Sequence, residues 1–155
     1  MLHQPLNTFL FAWNPVKYPW PEIGEQCEHL RAGEKVIEDW SCASHKKIRP
    51  GDRAFLVLVG AEPRGIFGSG YVASEPFIGK DHRGNMKNRV LIDFDVLLDP
   101  NTETILTLDL LNMGKMAKQV WAPQASGIVI KPEITGELEA LWEDFLRTKK
   151  RFMKK

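Results

Sequence analysis

Ile48 to Ser74 reads IRPGDRAFLVLVGAEPRGIFGSGYVAS, and this stretch decides the fold. Pro50-Gly51-Asp52 is a turn signal, because proline fixes φ and glycine supplies positive φ. The run Ala54-Phe55-Leu56-Val57-Leu58-Val59 is too short for a typical helix and is bounded by turns. It predicts a strand buried on both faces. Gly60 to Arg64 has hairpin-loop length, and Gly65 to Val72 predicts the returning strand. Gly65, Gly68 and Gly70 would weaken an ordinary strand. They suit a sharp bend, or a place where another backbone or a ligand comes close. The expectation is a tightly curved barrel with a binding site lying against the glycines.

Working outward, Asn7 to Trp13 is apolar and aromatic, a first strand stopped by Asn14-Pro15. Val16 to Pro21 holds two prolines among aromatic residues and reads as a loop, since residues before proline avoid the α region. Ile23, Cys27 and Leu30 fall on one helical face, with Gly33 as a stop. Val36 to Trp40 is a short extended segment, followed by the small polar run Ser41-Cys42-Ala43-Ser44-His45. Beyond the hairpin, Glu75 to Asn88 reads as a long loop. Val90, Ile92, Phe94, Val96 and Leu98 alternate with Asp93 and Asp95, a half-buried strand. A short helix follows between Leu106 and Met113 with Thr107 as N-cap, then a loop from Trp121 to Gly127 and a last strand at Ile128–Ile130. Leu138, Leu141, Trp142 and Phe145 form the stripe of a C-terminal helix starting near Thr135. The class is α+β, a small curved β-barrel with flanking helices. One domain over 1–148 carries a basic, frayed tail at 149–155.

The chain has 155 residues and a formal net charge of +1, which excludes a strongly basic nucleic-acid coat but not a local basic face. Two cysteines make neither a disulfide framework nor a metal cluster and suit a reducing compartment. No apolar stretch is long enough to cross a membrane, and the start lacks a signal-peptide pattern. The expected location is the cytoplasm, with no membrane partner.

An ordered set of marks runs along the chain: Trp13-Asn14-Pro15, Trp40-Ser41, Ile48-Arg49-Pro50-Gly51-Asp52-Arg53, Gly65-Ile66-Phe67-Gly68-Ser69-Gly70 and Pro123-Gln124-Ala125-Ser126-Gly127-Ile128. In that order they resemble the EVE domain family of the PUA-like superfamily. Trp40-Ser41 followed by a Gly-Phe-Gly-type strand is also similar to YTH domains of the same superfamily. The resemblance implies a PUA-like barrel that holds a modified base in an aromatic pocket, flipped from a duplex or taken from a single strand. Several EVE-like domains are fused to an HNH nuclease. No such motif stands in this chain, so a separate nuclease or other effector protein is the implied further partner. Where some relatives carry an Arg-Asn-rich segment after the second Trp, this chain has Ser41 to His45.

Five tryptophans invite a stacking pocket, since base stacking on an aromatic face is worth about 1–3 kcal/mol per base. Trp142 belongs to a helical apolar stripe and reads as core. Trp13, Trp20, Trp40 and Trp121 lie at strand ends or in loops and are the candidate walls, Trp40 foremost. Asn14, Ser41, Ser44, Ser69, Gln124 and Ser126 could supply donors and acceptors to a base edge, although turn and cap chemistry explains such residues equally well. Two basic clusters flank the hairpin, Lys46-Lys47-Arg49-Arg53 and Lys80-Arg83-Lys87-Arg89. From them Lys46, Lys47, Arg49, Arg83, Lys87 and Arg89 are the candidate phosphate contacts.

For catalysis the sequence is poor. His3, His29, His45 and His82 are scattered, and Cys42 with His45 lacks an orienting third group. No zinc-deaminase pattern, P-loop or dinucleotide fingerprint occurs. The expected function is a nucleic-acid-binding module for a modified base, with C5-modified cytosine in DNA preferred. An RNA reader on the same fold is the alternative, and a small nuclease or hydrolase using His45 or His82 is a third. No metal or cofactor is expected.

Overall fold

The structure, a computed structural model, describes residues 7–81 and 83–153. His3 and His82 lie outside them. Eight strands form one mixed sheet, six of them in the order β2-β6-β4-β3-β1-β8, with β5 pairing β6 and β7 pairing β4 beside that path. These strands are β1 (Thr8–Trp13), β2 (Ile37–Ser41), β3 (Arg53–Leu58), β4 (Gly65–Val72), β5 (Phe77–Lys80), β6 (Met86–Leu97), β7 (Leu106–Thr107) and β8 (Ile128–Val129). Helix α1 (Ile23–Arg31) lies between β1 and β2, α2 (Leu108–Leu111) follows β7, and α3 (Pro132–Met153) closes the chain. The sheet is strongly curled, a half-barrel with few helices beside it.

The central hairpin is where the apolar run placed it. Every residue of β3 is buried, and β3 pairs antiparallel with β4 from Arg53↔Tyr71 to Leu58↔Gly65. On its other side β3 pairs with β1 in parallel, which requires the crossover through α1 and β2. The pairing of β3 with β4 skips Phe67, and that of β4 with β6 skips Asp95. These two bulges bend the strands and curl the sheet. The glycines of β4 serve this bend and not a ligand: a Cβ at Gly70 would strike the Asp93 carbonyl, and one at Gly68 would lie 3.2 Å from that of Val96. The expectation of a binding site against them fails for that reason.

Three other readings need correction. Glu75–Asn88 is not a loop: β4 resumes as β5 after a short break, and β5 pairs with the start of β6 from Phe77↔Arg89 to Lys80↔Met86. Asp81 closes the tip by accepting hydrogen bonds from the Arg83 and Asn85 backbone N–H groups, both 2.9 Å. The C-terminal helix begins at Pro132, where the ring's fixed φ suits the first helical turn, and it continues through Met153 in place of a frayed tail at 149–153.

The two ends of the sheet meet beyond β2. The Ala43 N–H donates to Ser126 O at 2.8 Å and the Ser44 N–H to Gly127 O at 3.1 Å. Gly127 has φ +77°, and a Cβ there would sit 2.7 Å from Cys42 Cα. Gly127→Ala is therefore expected to destabilise the fold by about 1–3 kcal/mol, from left-handed strain together with the clash. Thermal melting checks this, and an unchanged melting temperature would mean the closing contact carries little weight.

Arg53 clasps the sheet to α3. Its side chain is 8% exposed and sits 2.9 Å from both Asp95 and Glu139. The guanidinium lies 5.0 Å from the Phe55 ring centroid and 4.8 Å from that of Tyr71. Burial works against its charge, but the Glu139 hydrogen bond and the Asp95 carboxylate outweigh it and hold the guanidinium more firmly protonated than usual. Ser69 belongs to the same network. Its hydroxyl donates to Asp95 at 2.5 Å and accepts from the Trp142 indole N–H at 2.9 Å.

Candidate functional site: an aromatic cleft at the closing seam

A cleft of about 1010 Å³ opens where the end of β1, strand β2, the tip of the β5–β6 hairpin and the loop before β8 come together. That is at the upper end of the size of ligand pockets, roughly 300–1,000 Å³. It has room for a nucleotide and part of its neighbours.

The cleft is aromatic because the proline-rich loop folds back over β1 and β2. Trp20 packs edge-on against Trp13 at 5.5 Å and against Trp40 at 5.5 Å. Trp13 is nearly buried and donates its indole N–H to Tyr18 O at 2.7 Å. Trp20 and Trp40 are half-buried and line the cleft. The Trp20 indole N–H donates to Gln26 Oε1 at 2.6 Å, and that of Trp40 to Ala12 O at 3.0 Å. With these N–H groups occupied, what the two rings have left to offer is their π faces. A base held between two parallel rings needs about 7 Å, twice the carbon–carbon contact distance. At 5.5 Å and 63° Trp20 and Trp40 leave no such slot, so stacking here is one-sided.

Of the expected polar residues, Asn14, Ser41, Gln124 and Ser126 all border the cleft. Asn14 also does turn work, its Oδ1 accepting from the Val16 N–H at 3.0 Å. Ser126 Oγ accepts from the Ala12 N–H at 2.9 Å. Ser41 Oγ accepts from Arg89 at 2.9 Å. Gln124 is exposed at the rim.

Three of the expected pocket residues, Trp121, Ser69 and Ser44, stand elsewhere, and Arg89 is no phosphate contact. Trp121 is buried and donates to Met116 O at 2.8 Å, so it is core. Ser69 is fully buried in the Arg53 network. Ser44 is a turn residue whose carbonyl accepts from the Lys47 and Ile48 N–H groups, and it does not line the cleft. Arg89 borders the cleft, but its side chain is 6% exposed and pairs with Asp39 at 2.5 Å, so it is no free phosphate contact. Lys87 is exposed at the mouth, whereas Lys46, Lys47, Arg49 and Arg83 are exposed outside it.

Sequence reasoning missed Lys17, Glu38, Asp39 and the hairpin residues Ile78, Met86 and Asn88. Glu38 is the most telling. It lies two residues before Trp40 on the same face of β2, and its Oε1 accepts from Gln26 Nε2 at 2.5 Å. Among lining residues Lys17, Lys87 and Arg89 face four acids, Glu22, Glu38, Asp39 and Asp81. The cleft itself is thus not a phosphate site.

His45 lines the cleft, while Cys42 is buried, and that burial pushes its thiol up to about 11, away from the thiolate that a nucleophile needs. Among the described residues no group of His, Cys, Asp and Glu could hold a metal ion, and no helix is long and apolar enough to cross a membrane.

No family model matches the chain, and no curated protein does. Solved structures do. A hypothetical protein from Leishmania major is 14% identical with a TM-score of 0.63, over 94% of this chain and 99% of that one. Proteins from Pseudomonas syringae and Pseudomonas putida are each 14% identical, with TM-scores of 0.56 and 0.54, over 86% of this chain and 98% of theirs. At these identities the likeness shows the fold alone.

Proposed function

We propose that the chain is a PUA-like nucleic-acid-binding module that takes one modified base out of its strand and stacks it in the cleft, C5-modified cytosine in DNA being the preferred ligand. The observation that carries the reading is the half-exposed Trp20–Trp40 pair, its N–H groups already occupied and polar side chains beside it. A flat, partly polar ligand suits that surface. Extrusion costs a few kcal/mol, and stacking together with edge hydrogen bonds offsets it. The resemblance to EVE domains supports the same reading. Any chemistry on the strand then falls to a separate nuclease or effector protein.

Phosphates would be met around the cleft, by Lys46, Lys47 and Arg49 on one side, by Lys80 and Arg83 on the other, and by Lys87 at the mouth. Arg53 and Arg89 are already paired with carboxylates and drop out. Log affinity should therefore fall linearly with log salt, with a slope of about −2 to −3.5 on single strands, equivalent to about three to five phosphates. The deciding experiment is a binding screen of DNA and RNA oligonucleotides with unmodified and C5-modified cytosine, repeated across salt. Tighter binding of the modified DNA supports the proposal. Equal affinity for all, or binding insensitive to salt, overturns it.

A further inference from the structure

We infer that Glu38 is the specificity residue of the cleft: its free carboxylate oxygen accepts a hydrogen bond from the exocyclic amino group of the stacked base. The site then takes bases with an amino group at C4 of a pyrimidine or C6 of a purine, cytosine or adenine in kind, and refuses those with a carbonyl at that place. This rests on the base-pocket reading above and adds to it the chemical edge that is read.

The carboxylate is held in place by a relay. The Trp20 indole N–H donates to Gln26 Oε1 at 2.6 Å, and Gln26 Nε2 donates to Glu38 Oε1 at 2.5 Å. The relay ties α1 and the proline-rich loop to β2, so one ring of the aromatic pair and the carboxylate are oriented together. Trp40, two residues on, shares the strand face and is fixed by Ala12 O. Only Oε1 of Glu38 takes a hydrogen bond among the described residues, while the residue is half-buried and borders the cleft. A stacking surface and an oriented acceptor thus sit side by side.

An ionised carboxylate only accepts hydrogen bonds. Cytosine N4 and adenine N6 donate, and Glu is a fitting partner for the cytosine amino group. Thymine presents O4 at the same place, an acceptor against an acceptor, with both groups left unpaired. A site built this way rejects the wrong analogue by losing a bond and stranding polar groups. The same carboxylate would repel a phosphate, which agrees with an acid-rich cleft whose basic residues stand mostly outside.

5-Methylcytosine and thymine are the probes, since they share the C5 methyl and differ on the edge Glu38 would read. Labelled single-stranded oligonucleotides with one such nucleotide at the centre, and a second pair with adenine against hypoxanthine there, are titrated with the full chain. The expected result is tighter binding of the amino member of each pair by about five- to a hundredfold. Glu38→Gln should abolish the preference for the amino member or turn it toward the carbonyl member, because its Oε1 stays on Gln26 and the atom left to face the base is the Nε2 donor. Its Oε1 still accepts from Gln26, so its melting temperature should match the wild type. Glu38→Met, whose thioether is only a weak acceptor, serves as the second variant and should lose the preference as well. A folded Glu38→Gln protein that keeps the full amino preference overturns the inference and leaves the base pocket standing. Failure of the wild type to bind any oligonucleotide overturns both. Quenching of tryptophan fluorescence by tetramethylammonium, abolished in Glu38→Gln and without oligonucleotide binding, would make the cleft a cation cage and overturn both as well.

Discussion

Trp40→Ala is expected to weaken binding of the modified oligonucleotide by about five- to more than a hundredfold, the loss of one base stack worth roughly 1–3 kcal/mol. The ring is fixed by its N–H bond to Ala12 O and by edge contact with Trp20, so its face is presented without further ordering. Binding of unmodified oligonucleotide should change much less, because the phosphate contacts lie outside the cleft or at its mouth, away from the Trp40 ring. Trp40 also packs on the core, and the truncation should lower stability by about 2–4 kcal/mol, somewhat less than for a fully buried tryptophan. Affinity must therefore be measured well below the melting temperature, with melting recorded on the same sample. A folded variant that prefers the modified base as strongly as before sinks the stacking role of Trp40.

The hairpin of β3 and β4 was legible because a short apolar run between turns has one common outcome. Trp13, Asn14, Trp20, Trp40, Ser41 and Gln124 were placed at one cleft because residues at strand ends and in loops gather where strands converge. What stayed hidden is non-local. Arg89 pairs with Asp39, fifty positions away, and Arg53 with Glu139, eighty-six away, so two arginines read as members of phosphate-facing basic clusters are buried. Nothing in the pattern around Trp121 tells a loop tryptophan that turns inward from one that lines a pocket. Strand β5 was missed because Gly79, Lys80 and Asp81 erase the alternation, and its pairing with β6 lies in backbone hydrogen bonds. In the sequence Glu38 carries no signal beyond its place in a short extended segment. Its meaning comes from Gln26, on another element, and from Trp20 behind it.

Arg53→Ala is expected to lower stability by about 2–4 kcal/mol, a fall in melting temperature of roughly 4–16 °C for a chain of this size. The side chain joins four elements: it lies on β3, pairs with Asp95 of β6 and Glu139 of α3, and donates to Gly70 O of β4 at 3.2 Å. Asp95 and Glu139 are 41% and 43% exposed, so water can take over much of their solvation once the guanidinium is gone. That keeps the cost below that of stranding a fully buried charge. The remainder comes from lost packing between Phe55 and Tyr71, which a smaller residue cannot restore. Arg53→Lys should recover only part of the loss, since an ammonium lacks the planar fork that meets two carboxylates and stacks on rings. In a double-mutant cycle Arg53→Ala and Glu139→Ala should be clearly non-additive, as partners in one network are. Nucleic-acid affinity of the folded Arg53→Ala protein should equal that of the wild type, with the same salt slope. A slope reduced by about one phosphate, together with unchanged melting, would instead return Arg53 to the phosphate contacts its sequence position suggested.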